Sequence, residues 1–131
     1  MGLNWWAIIV CVILNMAIGA GWYGVWAKPW MAGIGKSREE IEANPQMAPY
    51  GVAVLNSVLM ALVLAVVISW AGVATLLGGL GVGALMWLGF VGLAFGSNHA
   101  FEGRSLQLWA INSGTYLVGL LLMGAILGVW Q

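Results

Sequence analysis

Ala61-Leu62-Val63-Leu64-Ala65-Val66-Val67-Ile68 is apolar at every position. A strand of a membrane barrel alternates apolar and polar residues over about 10 positions. This run does not alternate. Its β-branched members do not bar a helix in lipid, because there the backbone must satisfy its own hydrogen bonds. Followed outward, the uncharged stretch covers residues 50–70. A bilayer core needs about 20 mostly apolar residues per helix, so the segment predicts a transmembrane helix. Residues 5–23, 74–95 and 108–130 predict three more. Four spans take up roughly 80 residues by the same rule, which leaves little for a water-soluble domain. The expected architecture is all-α: one domain over residues 1–131, a polytopic membrane protein of four transmembrane helices in up-down order, and oligomeric.

Composition agrees. Of 131 residues, 63% are hydrophobic and 6% charged, with 20 Gly and 9 Trp. A soluble domain carries about 25% charged residues. Four Lys/Arg and four Glu cancel to zero net charge. That leaves no basic surface for a nucleic-acid backbone. A soluble globule of this size could not hide so much apolar area. A soluble enzyme, a nucleic-acid binder and a disordered tail are therefore excluded. The N-terminal run is not expected to be a cleaved signal, since residues 1–4 lack Lys and Arg and the apolar stretch is too long.

Charge sets the expected direction. Lys28, Lys36 and Arg38 lie between spans one and two, and Arg104 between spans three and four. Basic loops stay in the cytoplasm, so both termini are expected outside. Trp5, Trp6, Trp70 and Trp130 would then mark the outer interface, and Trp22, Trp26, Trp30 and Trp109 the inner one.

The longest polar segment, residues 28–49, holds Pro29, Pro45 and Pro49. Within it, Ser37-Arg38-Glu39-Glu40 fits a capping box, with Asn44-Pro45 as a stop. One short interfacial helix, Arg38–Ala43, is expected there as a structural strap. The connection at residues 71–73 is tiny and apolar, which makes spans two and three a hairpin.

Residues 3, 4, 7 and 11 apart share a helix face. Asn15, Gly19, Trp22 and Trp26 form one such stripe, and Asn112, Tyr116, Gly119 and Met123 another. Gly81, Gly92, Gly96 and His99 share a face of span three. Gly92-xxx-Gly96 and Gly124-xxx-Gly128 have the spacing that lets backbones approach closely, so these stripes are expected at helix contacts. Asn15, Asn56 and Asn112, with Tyr116, could line a polar path. Equally, each Asn could be an interhelical hydrogen bond worth about 0.6 kcal/mol. Cys11 is single and expected to pack inertly. No Asp, Glu, Lys or Arg lies deep in a span, which argues against proton-coupled transport. Small four-helix multidrug exporters carry a Glu in the first helix, and span one has none.

Lys28, His99, Glu102 and Arg104 are expected near one membrane depth. His99 and Glu102, three apart, would share a helix face. They could form a site, with His99 as proton acceptor and Arg104 and Lys28 holding an anion. They could equally form a charge clamp. One His and one carboxylate do not make a zinc site, which needs three or four ligands, unless symmetry copies complete it. No cofactor, metal or catalytic nucleophile motif is expected.

Gly21-Trp22-Tyr23-Gly24 with Lys28 and Trp30-Met31 resembles the first block of a family of small bacterial four-helix membrane proteins of unknown function. Residues 98–105 (Asn-His-Ala-Phe-Glu-Gly-Arg-Ser), then Leu108-Trp109-Ala110-Ile111-Asn112 and residues 123–128 (Met-Gly-Ala-Ile-Leu-Gly), resemble its C-terminal half. The resemblance implies the fold, the bacterial inner membrane and a role for Lys28, His99, Glu102, Arg104 and Asn112. It implies no activity. Two functions compete: an oligomeric channel or carrier for a small solute or ion, and an accessory subunit packed in a larger membrane complex. An enzyme using His99 and Glu102 on a lipid headgroup is the least supported. The expected partners are the lipid bilayer and copies of the chain or other membrane subunits.

Overall fold

The computed structural model describes residues 2–131, all in helices and turns with no strand among them. In chain order the elements are α1 (Trp5–Val25), α2 (Ala27–Ile34), α3 (Arg38–Ala43), α4 (Ala48–Ala71), α5 (Leu76–Trp87), a π-helical turn (Leu88–Gly92), α6 (Leu93–Phe101) and α7 (Leu106–Val129). The four stretches Trp5–Val25, Ala48–Ala71, Leu76–Phe101 and Leu106–Val129 are long and apolar enough to cross a membrane. They run up and down. Leu3, Gly72 and Trp130 line one shallow cavity at the uncharged end. Gly33, Arg104 and Ser105 line another at the end that holds the charged loops.

Short polar side chains set where the helices begin. Asn4 Oδ1 accepts from Ala7 N–H at 3.1 Å, Thr75 Oγ1 from Gly78 N–H at 2.9 Å, and Ser105 Oγ from Leu108 N–H at 3.1 Å. Each satisfies a backbone donor that the first turn leaves without a helical partner. At the other end of α4, Gly72 adopts φ +69°, a left-handed conformation that closes the helix and that glycine adopts freely.

The segment 28–49 holds two helices where one was expected. Lys28 and Pro29 belong to α2, which follows α1 after a break at Trp26. Pro29 falls in the first turn of α2, where a missing N–H removes no helical bond, so it starts the helix instead of breaking it. α2 then lies against the start of α7. A Cβ on Gly33 would stand 2.9 Å from Leu108 Cδ1, and Leu108 is fully buried. Farther on, α3 begins at Ser37, whose Oγ accepts from Glu40 N–H at 3.2 Å.

The apolar core lies in the half of the bundle toward the uncharged end. Ala7, Ile8 and Cys11 of α1 meet Ala61, Leu64, Ala65 and Ile68 of α4, and Leu120, Met123 and Leu127 of α7. Beside it α5 and α7 touch main chain to main chain. A Cβ on Gly79 would collide with the Gly124 carbonyl, one on Gly83 with the Leu120 carbonyl, and one on Gly128 with the Thr75 carbonyl. Large apolar side chains such as Trp6, Leu77 and Phe90 point outward. That is the expected economy in lipid, where hydrocarbon outside is as apolar as Leu inside.

The glycine faces differ from the simple helical period. Gly81 has nothing within 4 Å of a would-be Cβ, while Gly79 and Gly83 are buried. Stepping back three α-helical turns from Gly92 lands on Gly81. The intervening π turn holds more residues per turn and shifts that register. Gly124 and Gly128 do approach backbone, but Gly92 and Gly96 do not. A Cβ on Gly92 would meet the Trp87 ring at 2.7 Å, and one on Gly96 would meet Trp109 Nε1 at 3.3 Å. These two glycines make room for indoles.

Candidate functional site

Below the π turn the bundle is spaced by tryptophan. Trp22 Nε1 donates to the Ile111 carbonyl at 2.8 Å, Trp87 Nε1 to the Ser113 carbonyl at 2.8 Å, and Trp109 Nε1 to the Gly92 carbonyl at 2.9 Å. Each ring is seated on a glycine, Trp22 on Gly114 at 2.7 Å from a would-be Cβ. Trp22 and Trp109 were expected to face headgroups. Instead they turn inward, because an indole N–H buried among helices needs an acceptor and a neighbouring main-chain carbonyl supplies one.

The spacing leaves a cavity of about 340 Å³ at the charged end, lined by Tyr23 of α1, Phe95, Asn98 and His99 of α6, Glu102 and Arg104 of the last loop, and Asn112 and Tyr116 of α7. The loop is built for abrupt reversal. Gly103 takes φ +69° and Arg104 N–H donates to the His99 carbonyl at 2.9 Å, closing α6. Ser105 then caps α7. Much of the motif at residues 98–105 is therefore turn chemistry that sets His99, Glu102 and Arg104 at the cavity wall.

Inside, Tyr23 Oη donates to Asn112 Oδ1 at 3.1 Å, and Asn112 Nδ2 lies 3.3 Å from His99 Nε2. An amide nitrogen only donates, so His99 Nε2 accepts and the neutral ring carries its proton on Nδ1. Nδ1 is buried with no partner. An unmet buried donor costs about 1–3 kcal/mol. Phe95 packs against both His99 and Tyr116, with ring centroids 6.0 and 5.5 Å apart.

Deeper in, Asn56 Nδ2 donates to Tyr116 Oη at 3.3 Å, and Asn15 Nδ2 to Ser57 Oγ at 2.8 Å. A Cβ on Gly119 would collide with Asn15 Oδ1, so Gly119 provides the room for that side chain. At 1.5 Å rise per residue, Asn112 lies about 9 Å and Tyr116 about 15 Å along α7 from Leu106, and Asn15 about 15 Å along α1 from Val25. The polar pairs thus reach from the cavity to mid-bundle, where the apolar core begins.

Of the four charged or titratable residues expected together, three line the cavity. Arg104 Nε and Glu102 Oε2 form an ion pair of 2.7 Å, with side chains 40% and 52% exposed. So exposed a pair contributes about 0–1 kcal/mol. Lys28 is a correction. It is exposed near the start of α2 and lines neither this cavity nor the ion pair; the other end of α2, Ala32, Gly33 and Ile34, is the part that meets the last loop. No group of three or more His, Cys, Asp or Glu that could hold a metal occurs among the described residues. Tyr23, Phe95 and Asn98 line the cavity as well, beyond the residues expected from the sequence. Tyr23 and Asn98 stand inside the quoted family blocks, but Phe95 has no signal beyond helical spacing from His99.

The chain matches the family described as "Protein of unknown function (DUF1761)" over residues 6–128, and it belongs to that family. No curated protein and no solved structure matches it.

Proposed function

We propose that this DUF1761 member is a channel or carrier for a small polar solute that enters at the charged end. The observation behind this reading is the cavity of about 340 Å³ whose wall includes Tyr116, with the Asn56–Tyr116 pair behind that wall and the Asn15–Ser57 pair farther in. Beyond these the apolar core closes the single chain. Passage therefore requires either movement of the helices or several copies around a shared axis. In this reading the protein is a homo-oligomer of the bacterial inner membrane and not an enzyme, with the charged loops cytoplasmic and both termini outside. Flux into proteoliposomes tests it. Asn15→Leu and Asn112→Leu should each cut flux severalfold, and unchanged flux in both would remove the polar path.

A second reading, an accessory subunit, is favoured by a different observation. Asn15, Asn56 and Asn112 all have side-chain partners within the chain, as interhelical glue would. Purification in mild detergent separates the two. A stoichiometric partner of different sequence supports the subunit reading, and a homo-oligomer alone supports the carrier.

A further inference from the structure

We infer that the cavity at the charged end recognises a small carboxylate with a short apolar tail, its head on the Arg104 guanidinium and its tail toward Phe95. This deepens the carrier reading and rests on it only for the step of transport.

The inference comes from which hydrogen-bonding groups of the wall are already engaged. Several acceptors are taken: Asn112 Oδ1 by Tyr23, His99 Nε2 by Asn112, and Glu102 Oε2 by Arg104, which leaves the oxygens Glu102 Oε1 and Asn98 Oδ1. Tyr116 Oη accepts from Asn56, which leaves its own proton to donate. The guanidinium of Arg104 uses Nε on Glu102 and keeps both Nη groups. Asn98 has no side-chain partner, and His99 Nδ1 is the buried donor with none. The free N–H and O–H groups, on Arg104, Tyr116, His99 and Asn98, thus outnumber the two free oxygens, Glu102 Oε1 and Asn98 Oδ1, with Phe95 as an apolar wall.

A complementary head accepts without donating. A carboxylate does so with two oxygens and matches the planar fork of an arginine. A primary amide brings one acceptor oxygen where a carboxylate brings two, and only Glu102 Oε1 and Asn98 Oδ1 could take its N–H groups. An ammonium would have the same two oxygens and would meet the guanidinium. Glu102 opposes an anion, but its pair with Arg104 is half exposed and the remaining Nη groups are unencumbered.

The test uses the full chain in nanodiscs, titrated with propionate, propionamide, propylammonium and inorganic phosphate, and read by tryptophan fluorescence and calorimetry. Propionate should saturate one site, with propionamide about tenfold weaker, as expected when a charge-assisted bond becomes a neutral one. Propylammonium should not bind. Arg104→Gln should weaken propionate about tenfold and Arg104→Lys less, since lysine keeps the charge but loses the fork. Glu102→Gln should tighten binding severalfold, a gain that a misfolded variant could not give. Equal affinity for propionamide or phosphate, no effect of Arg104→Gln in a protein of unchanged thermal midpoint, or weaker binding by Glu102→Gln would each overturn the inference. Propionate binding without flux would keep the site and remove the carrier. Flux of another solute without propionate binding would keep the carrier and overturn the carboxylate.

Discussion

Glycine serves opposite purposes at the two ends of this bundle. Toward the uncharged end, Gly79, Gly83, Gly124 and Gly128 bring the backbones of α5 and α7 into direct contact. Toward the charged end, Gly92, Gly96 and Gly114 instead make room for the rings of Trp87, Trp109 and Trp22. The π turn at Leu88–Gly92 stands between the two regimes. Above it helices are drawn together and the interior is apolar. Below it indoles hold helices apart, and the space between them is lined with polar groups. Small residues on a membrane helix thus do not by themselves mean close backbone approach. What they admit depends on the residue opposite.

The largest test of this contrast is Gly79→Ala, where the added methyl would meet main chain that cannot rotate away. Overpacking of this kind should cost about 3 kcal/mol or more, seen as a lower midpoint in detergent unfolding. Gly81→Ala, on the open face of the same helix, should instead gain up to about 1 kcal/mol from helix propensity. Equal effects of the two would break the comparison. Next in size is Gly114→Ala, which presses on the Trp22 ring. A ring can shift where a carbonyl cannot, so a loss of about 1–2 kcal/mol is expected, with a change in tryptophan emission as the Trp22–Ile111 bond distorts. Smaller again is Ser57→Ala, which leaves Asn15 without its partner. Interhelical polar pairs average about 0.6 kcal/mol, and a thermal shift well beyond that would mean the polar half is stiffer than its geometry implies. Smallest is Glu102→Gln, at about 0–1 kcal/mol in the same unfolding assay, because the ion pair is half exposed.

The four spans were legible because a run such as residues 61–68 leaves the backbone only one way to satisfy itself in lipid. The faces were less so. A 3.6 period carries no trace of a π turn, so the register of Gly92 could not be carried back to Gly79 and Gly83 from spacing alone. Pro29 reads as a breaker until its place in a first turn is known. Trp22 and Trp109 have the composition of interface anchors, and only the carbonyls opposite show that they turn inward. At the site, His99, Glu102, Arg104 and Asn112 were legible as rare polar residues in an apolar chain. Lys28 was grouped with them by charge and loop, which say nothing of its exposed place near the start of α2. Phe95 is common in membrane spans, so its place between His99 and Tyr116 was invisible.

The main-chain contact between α5 and α7 has a mechanical consequence. Side-chain packing can slide by changing rotamers, but carbonyls resting on α-carbons have no such freedom. The third and fourth membrane helices therefore act as a fixed frame, on which α1 and α4 rest through side chains. In the proposed carrier, rocking that exposes the cavity to the far side would fall to α1 and α4, so spin labels at Leu77 and Val129 should hold one separation while labels at Ile13 and Leu122 should not.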